Sequence, residues 1–290
     1  MYAVQQFINI LQLGSIYGLI ALGYTMVYGI IRLINFAHGD LFMVAAFISY
    51  ILAVYLKLPF IPTLLISVVF VAMLGMSIER LAYKPLRQAP RVSVVITALG
   101  VGLFLENFVL LLYPYPQVVP TLLPTINWNL GGVTVSFLHV LIVGLALLLM
   151  LILDLIVNRT MVGMAMRAIS WNKTIVPLMG VSVDKIISIT FILGTGLAAI
   201  AGVMYSQAFS TIDPYMGILI GWQAFICAVI GGIGNIRGAI LGAFILAAVQ
   251  ILVVTFLPST YRDFITFTLL LVFLAFRPYG ILGKPPIEKV

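Results

Sequence analysis

Long runs of apolar residues alternate with short clusters of charge, glycine and proline along almost the whole chain. A helix needs about 20 apolar residues to cross the hydrocarbon of a bilayer, within a range of about 17–25. On that measure nine runs read as spans: Phe7–Ile31, Leu41–Leu56, Phe60–Ile78, Val92–Tyr113, Phe137–Val157, Ile186–Tyr205, Met216–Ile230, Ala239–Leu257 and Phe264–Phe276. The second, seventh and ninth are short, which leaves about eight to ten spans as the range. The expected fold is an all-α polytopic membrane bundle, a single domain over residues 1–290. Residues 1–31 hold no charge, so the first run lacks a basic flank and reads as a span, not a cleaved signal peptide.

The charges between the runs carry a second message. Cytoplasmic loops hold an excess of Lys and Arg. With the N-terminus outside, the inner connections hold Arg32; then Arg80, Lys84, Arg87 and Arg91; then Arg159, Arg167, Lys173 and Lys185; then Arg237; and the tail holds Arg277, Lys284 and Lys289. That is 13 of the 15 basic residues, leaving Lys57 and Arg262 outside. One miscounted span would swap every later loop, so an odd number of spans, N-out and C-in, is expected.

Composition excludes the soluble classes. The chain is 63% hydrophobic and 8% charged, with a mean hydropathy of +1.23, whereas a soluble domain is about 25% charged. One cysteine, Cys227, excludes a disulfide framework and a thiolate zinc site, and two histidines, His38 and His139, exclude a His-rich metal cluster. A net charge of +7 would suggest nucleic acid in a soluble protein; here the basic residues lie in membrane-flanking loops, and no nucleic-acid partner is expected. Residues 107–153 hold no charge but are broken by Pro114, Pro116, Pro120, Pro124 and Gly131-Gly132. Residues 114–136 read as a periplasmic loop against the membrane interface, with Trp128, Tyr113 and Tyr115 as anchors or as contacts for an external partner.

Four features carry candidate chemistry. The segment 158–186 is the longest polar connection; Thr160 can cap a short helix with Met161, Ala165, Ala168 and Ile169 on its apolar face, Pro177 and Gly180 punctuate its exit, and Ser182 can cap the next span. Such a helix either anchors at the interface or docks into a cytoplasmic partner. Asn35, His38, Gly39 and Asp40 sit between two apolar runs too close for a long loop. Asp40 is a helix cap favoured by the dipole, or part of a broken helix lining a pathway. Gly231, Gly232, Gly234 and Asn235 interrupt a later apolar stretch, and Gly234, Gly238 and Gly242 form a small-residue ridge for helix packing. Two Gly-polar interruptions, one in each half of the chain, point to a midplane site in transporters. Glu106 lies inside the fourth span, where it faces a pathway or is hydrogen-bonded to Asn107 or a neighbouring helix. Asp154 reads as snorkelling to the inner interface and Asp213 as a cap near Pro214.

There is no Arg ladder, TVGYG filter, Walker A loop or His-Glu-x-x-His helix. An intramembrane enzyme would need a second group near Glu106 or Asp40, and the spacing supplies none. An ion-coupled carrier or channel for a small polar solute stays open as an alternative, but it leaves the 158–186 segment unexplained.

"GYTMVYGIIRLINFAHGDLFM" from Gly23, "GMAMRAISWNKTIVPLMGVSVDKI" from Gly163 and "VIGGIGNIRGAILGAF" from Val229 resemble the LivH-type permease subunit of bacterial branched-chain amino-acid ABC importers, along the whole chain. The resemblance implies a permease bundle in the bacterial inner membrane, beside a LivM-type second permease subunit, in contact with membrane lipid. Two cytoplasmic ATPase subunits using ATP and Mg would drive it, and a periplasmic substrate-binding protein would deliver the solute. The chain itself would bind no cofactor and make no bond. Gly163, Met164, Arg167, Ala168 and Gly180 would lie in the coupling loop, although Trp171 stands where a more polar residue is expected. Replacing Arg167 or Ala168 by Glu would then uncouple ATP hydrolysis from uptake.

Overall fold

The structure, a computed structural model, describes residues 2–283 apart from the side chains of Arg91 and Leu130; Lys284 and Lys289 lie outside the described residues. It is predominantly helical: α1 (Tyr2–Ile31), α2 (His38–Val54), α3 (Phe60–Ile78), α4 (Arg91–Leu112), α5 (Phe137–Arg159), α6 (Met161–Trp171), α7 (Val183–Phe209), α8 (Met216–Gly231), α9 (Ile236–Phe256) and α10 (Tyr261–Phe276). Each expected span is one of these helices. Among the described residues six are long and apolar enough to cross a membrane, and α2, α8 and α10 are shorter, at 17, 16 and 16 residues. The chain is a polytopic membrane protein.

α1 and α7 are buried for most of their length and form the centre of the bundle. α1 packs on α9 and α7, and α7 also packs on α2 and α3. In lipid, helices gain little from hiding apolar side chains, so small residues that let backbones approach drive association. Gly23 of α1 and Gly194 of α7 are such a pair: a Cβ added at Gly194 would lie 3.4 Å from the Gly23 Cα.

The bundle has two distinct ends. α1 starts at the hairpin end, where the Thr134 backbone N–H donates to Gln5 Oε1 at 2.9 Å. It finishes at the α6 end, where Lys173 Nζ donates to the Ile31 carbonyl at 3.1 Å.

The 114–136 connection is more structured than proline content alone suggests. β2 (Asn127–Leu130) and β3 (Val133–Ser136) pair antiparallel, and Gly131 and Gly132 take positive φ of 59° and 90° at the turn. β1 (Gln117–Val118) pairs with β4 (Thr211–Ile212). Gln207 of α7 clasps this segment, accepting from the Leu122 N–H at 2.8 Å. The β1–β4 pairing and Gln207 fasten the connection to the bundle.

Two helices start inside the bundle. α1 ends at Ile31, Arg32 turns with φ 58°, and residues 32–37 fold back so that α2 starts beside Gly23, where an added Cβ would meet the His38 ring. After α7, Ser210 turns with φ 53° and the chain returns to begin α8 at Met216. The first turns of α2 and α8 meet there: a Cβ on Gly39 would lie 2.7 Å from the Gly221 Cα.

The later glycines serve a different end. Gly238 and Gly242 press α9 onto α8, as expected for a packing ridge; a Cβ on Gly242 would lie 2.8 Å from the Gly231 backbone N. Gly234 is not part of that ridge. It precedes α9 with φ 94° and packs against Gly29 of α1, an added Cβ lying 3.5 Å from the Gly29 Cα. Asn235 caps α9 by accepting from the Gly238 N–H at 3.1 Å, and its Nδ2 donates to the Leu282 carbonyl at 2.8 Å. Ile281 and Leu282 N–H groups donate to the carbonyls of Ile230 and Gly231. Gly231–Asn235 is thus a turn between two helices, bound to the C-terminal segment at the α6 end.

Candidate functional site

Where α2, α4 and α8 converge, a cavity of about 140 Å³ is walled by Tyr24, Phe36, Trp222 and Phe225, with Asp40 among its lining residues. Asp40 is the third residue of α2, and the helix begins at Ala37 without a side-chain cap. Asp40 thus lies in the first turn, where the helix dipole favours a carboxylate, but the N-cap residue is Ala37. Gly102 and Gly217 flank it, and a Cβ on Gly217 would lie 2.7 Å from Oδ1. Asp40 is 4% exposed, and its Oδ1 has no hydrogen-bond partner among the described residues. The positive ends of the α2 and α8 dipoles both point to this spot, where they favour negative charge.

Glu106 stands one turn beyond Gly102 on the same face of α4, and Gly102 itself packs against the Asp40 carboxylate. It is buried, and its Oε2 is likewise unpartnered. Asn107 does not bind it; its Nδ2 donates to the Leu103 carbonyl at 2.8 Å. The His38 ring sits edge-on to Tyr24 at 4.8 Å, and Asn35 Oδ1 accepts from Tyr83 Oη at 2.7 Å.

The structure thus gathers Asn35, His38, Gly39, Asp40 and Glu106 around one place. It does not bring Gly231, Gly232, Gly234 and Asn235 there. Gly231 lies 14 residues along α8 from Gly217, about 20 Å at 1.5 Å per residue. The counterpart of Asn35–Asp40 is instead the start of α8. Its signal was present as Gly217 and Gly221 at four-residue spacing beside Trp222. A second buried cluster, in which Tyr17 Oη bonds to Gln223 and Gln250 and Gln250 donates to Thr266 at 3.1 Å, joins α1, α8, α9 and α10.

At the α6 end, Thr160 caps α6 by accepting from the Gly163 N–H at 3.2 Å, and Ser182 caps α7. The buried face of α6 is Gly163, Met166 and Ile169. Met161, expected on that face, is exposed, because the helix starts there and its first residue projects past the end of α5. Gly163 is pressed against the carbonyls of Ile156 and Val157. Arg167 donates to the Val157 carbonyl, so it ties α6 to α5 while remaining exposed. Arg32 donates to the Ser170 carbonyl at 3.3 Å, binding the end of α1 to α6. Ala168 is half-buried, and Gly180 ends a 3-10 turn (Val176–Met179) with φ 76°. Met164, Trp171, Leu178 and Met179 project outward, Met164 at 57% and Leu178 at 86% exposure.

A charged knot joins the two regions, and sequence spacing gave no sign of it. A π-helical turn, Glu79–Tyr83, follows α3. Arg87 pairs with the fully buried Glu79 and, at 2.5 Å, with Asp184 in the first turn of α7. Ser188 Oγ donates to Glu79 Oε2 at 2.8 Å. Tyr83 from the same turn holds Asn35, just before α2. The start of α7, directly after the α6 segment, is thereby connected through one turn to the start of α2. Asp154 is held by Asn158 at 2.9 Å and Arg237 at 3.4 Å, as its place near a helix end suggested.

A largely apolar cavity holding one buried carboxylate, where the first turns of two short helices meet, and an amphipathic helix tied to one end of the bundle suit a transport-type membrane protein. Residues 6–274 match the family described as branched-chain amino acid transport system / permease component. A branched-chain amino acid transport permease protein, BraD, of Pseudomonas aeruginosa is 40% identical over 99% of this chain and 98% of its own length. LivH of Escherichia coli strain K12, a permease protein of the same description, is 38% identical over 100% of this chain and 98% of its own. A probable LivH of Methanocaldococcus jannaschii is 30% identical over 91% and 88%. No solved structure matches. The chain belongs to the branched-chain amino acid transport permease family, and it is a transport subunit, not an enzyme.

Proposed function

We propose that the chain is the membrane-spanning permease subunit of an ATP-driven, binding-protein-dependent importer of branched-chain amino acids in a bacterial inner membrane. It spans nine times, N-out and C-in, with the α6 end cytoplasmic. Arg32, Arg80, Lys84, Arg87, Arg167 and Lys173 fall between spans on that side, and Arg159, Lys185 and Arg237 lie at span ends there, in line with the positive-inside rule. A LivM-type subunit forms the other half of the pathway, two cytoplasmic ATPases use ATP and Mg, and a periplasmic binding protein supplies the solute. This chain binds no cofactor.

The observation that carries the reading is α6. Capped by Thr160 and tied to α1 and α5, it moves with the bundle, while Met164, Trp171, Leu178 and Met179 offer an apolar knob to a partner. Gly163, Arg167, Ala168 and Gly180 shape and hold that knob. A push on it reaches α2 through the Arg87 knot and the Tyr83–Asn35 bond, and so reaches the Asn35–Asp40 and Glu106 region of the pathway. Gly231, Gly232, Gly234 and Asn235 hold the α8–α9 turn and the C-terminal segment together at the cytoplasmic end.

Met164 is exposed, so Met164→Glu leaves the fold intact and places a charge in the docking surface. Leucine uptake by the assembled importer should fall about tenfold or more, with the chain's abundance and detergent stability unchanged. Uptake at the parent rate would overturn the assignment of α6 as the coupling element.

A further inference from the structure

The described acids divide into two groups. Glu79, Asp154, Asp184 and Asp263 each have a basic partner within 4 Å. Asp40, Glu106 and Asp213 have none among the described residues. Asp213, in the connection between α7 and α8, is half-buried and its Oδ1 accepts from the Tyr215 N–H at 2.8 Å, whereas Asp40 and Glu106 are buried and each keeps an unpartnered oxygen.

Burying carboxylates without cations is costly in a membrane interior, so a cation from outside the chain is the natural complement. The surroundings say which kind. Asp40 is more than nine-tenths buried, lines the cavity and keeps Oδ1 unpartnered. Four of the other lining residues are aromatic, beside Leu99, Leu103, Ile218 and three glycines: Phe36 and Phe225 stand 6.1 Å apart, with Trp222 5.8 Å from Phe36 and 5.9 Å from Phe225, and Tyr24 is 6.3 Å from Phe225. A bare calcium or magnesium ion needs about six or more oxygen ligands, and of the lining side chains only those of Asp40 and Tyr24 carry oxygen. An alkylammonium group is suited by both, one carboxylate for its N–H donors and ring faces for its charge.

We propose that Asp40 is the carboxylate of an ammonium-binding pocket for the transported solute, walled by Tyr24, Phe36, Trp222 and Phe225. The solute's apolar side chain lies against the exposed Leu103 and Ile218 at the cavity mouth. The role in transport rests on the reading that this cavity is part of the translocation pathway; the ammonium chemistry does not.

Trp222 is one of three tryptophans and reports on the pocket directly. In the full chain carrying Trp128→Phe and Trp171→Phe, purified with whatever subunits remain bound, Trp222 emission is titrated with 3-methylbutylammonium, with 4-methylpentanoate and with sodium ion. The ammonium compound should give a saturable change, with the carboxylate and sodium binding about tenfold more weakly or not at all. Asp40→Asn should weaken the ammonium response about tenfold. A carboxylate or sodium response as strong as the ammonium response, no saturable response to the ammonium compound, or an unchanged response in Asp40→Asn would each overturn the site. The contrast between ligands in the parent chain holds even if the variant folds poorly. Leucine uptake separates the two readings. An Asp40-dependent ammonium response with normal uptake in Asp40→Asn keeps the site and removes it from the pathway; lost uptake without an ammonium response keeps the pathway and removes the site.

Discussion

Arg87→Ala should lower the unfolding midpoint of the purified chain by about 10 °C. Glu79 is fully buried and Arg87 is 16% exposed, so removing the guanidinium leaves a buried carboxylate with only the Ser188 hydroxyl as partner. Stranding one member of a buried pair costs about 3–5 kcal/mol, and in a chain of this size each kcal/mol moves the midpoint by about 2–4 °C. The size of the effect separates this pair from its neighbour. Lys84 meets Asp184 at 2.7 Å with both side chains about half exposed, and Lys84→Ala should cost no more than about 1 kcal/mol. Replacing Glu79 and Arg87 together by Met should recover most of the loss, because no charge is then left without a partner. A thermal scan in detergent reads all three. Equal midpoints for Arg87→Ala and Lys84→Ala would show that the knot does not hold the π-helical turn to α7.

Gly39→Val should remove transport while leaving the chain in the membrane. Gly39 meets α8 backbone to backbone: an added Cβ would run into the Gly217 carbonyl and lie 2.7 Å from the Gly221 Cα. Neither obstacle can rotate away, so α2 or α8 must shift. Overpacking of this kind costs about 1–3 kcal/mol, which the apolar spans tolerate, but the two helix starts no longer converge on Asp40. A displacement of that order misplaces the groups around the cavity, and uptake should fall about tenfold or more. Gly100→Ala is the control, since a Cβ there meets nothing within 4 Å; its transport should match the parent. Normal uptake in Gly39→Val, at normal abundance, would show that contact between α2 and α8 is not needed for function.

The helices were legible because a membrane span is defined within its own segment. The bilayer sets its length, and Thr160 and Ser182 cap their helices from three residues away. The weakness of α2, α8 and α10 as spans was legible for the same reason. What joins distant segments was not. Glu79 and Asp184 meet across more than a hundred residues through Arg87, and the strand pairing of β1 with β4 crosses a similar distance. Asn35–Asp40 and Gly231–Asn235 look alike in composition, yet one folds back into the bundle and the other closes a turn against the C-terminal segment. Only the packing of Gly39 on Gly217, and of Gly234 on Gly29, tells them apart. For α6 the caps located the helix, but the buried face is Gly163, Met166 and Ile169, because Arg167 and Gly163 fix its rotation against the end of α5.

The most direct test of the importer assignment is purification of the tagged chain from its native membrane in mild detergent, with every retained subunit identified. The account predicts a second permease subunit and two ATPases with the parent chain, and loss of the ATPases alone with Met164→Glu. Recovery of the chain by itself, stable and moving leucine into liposomes without ATP, would contradict it.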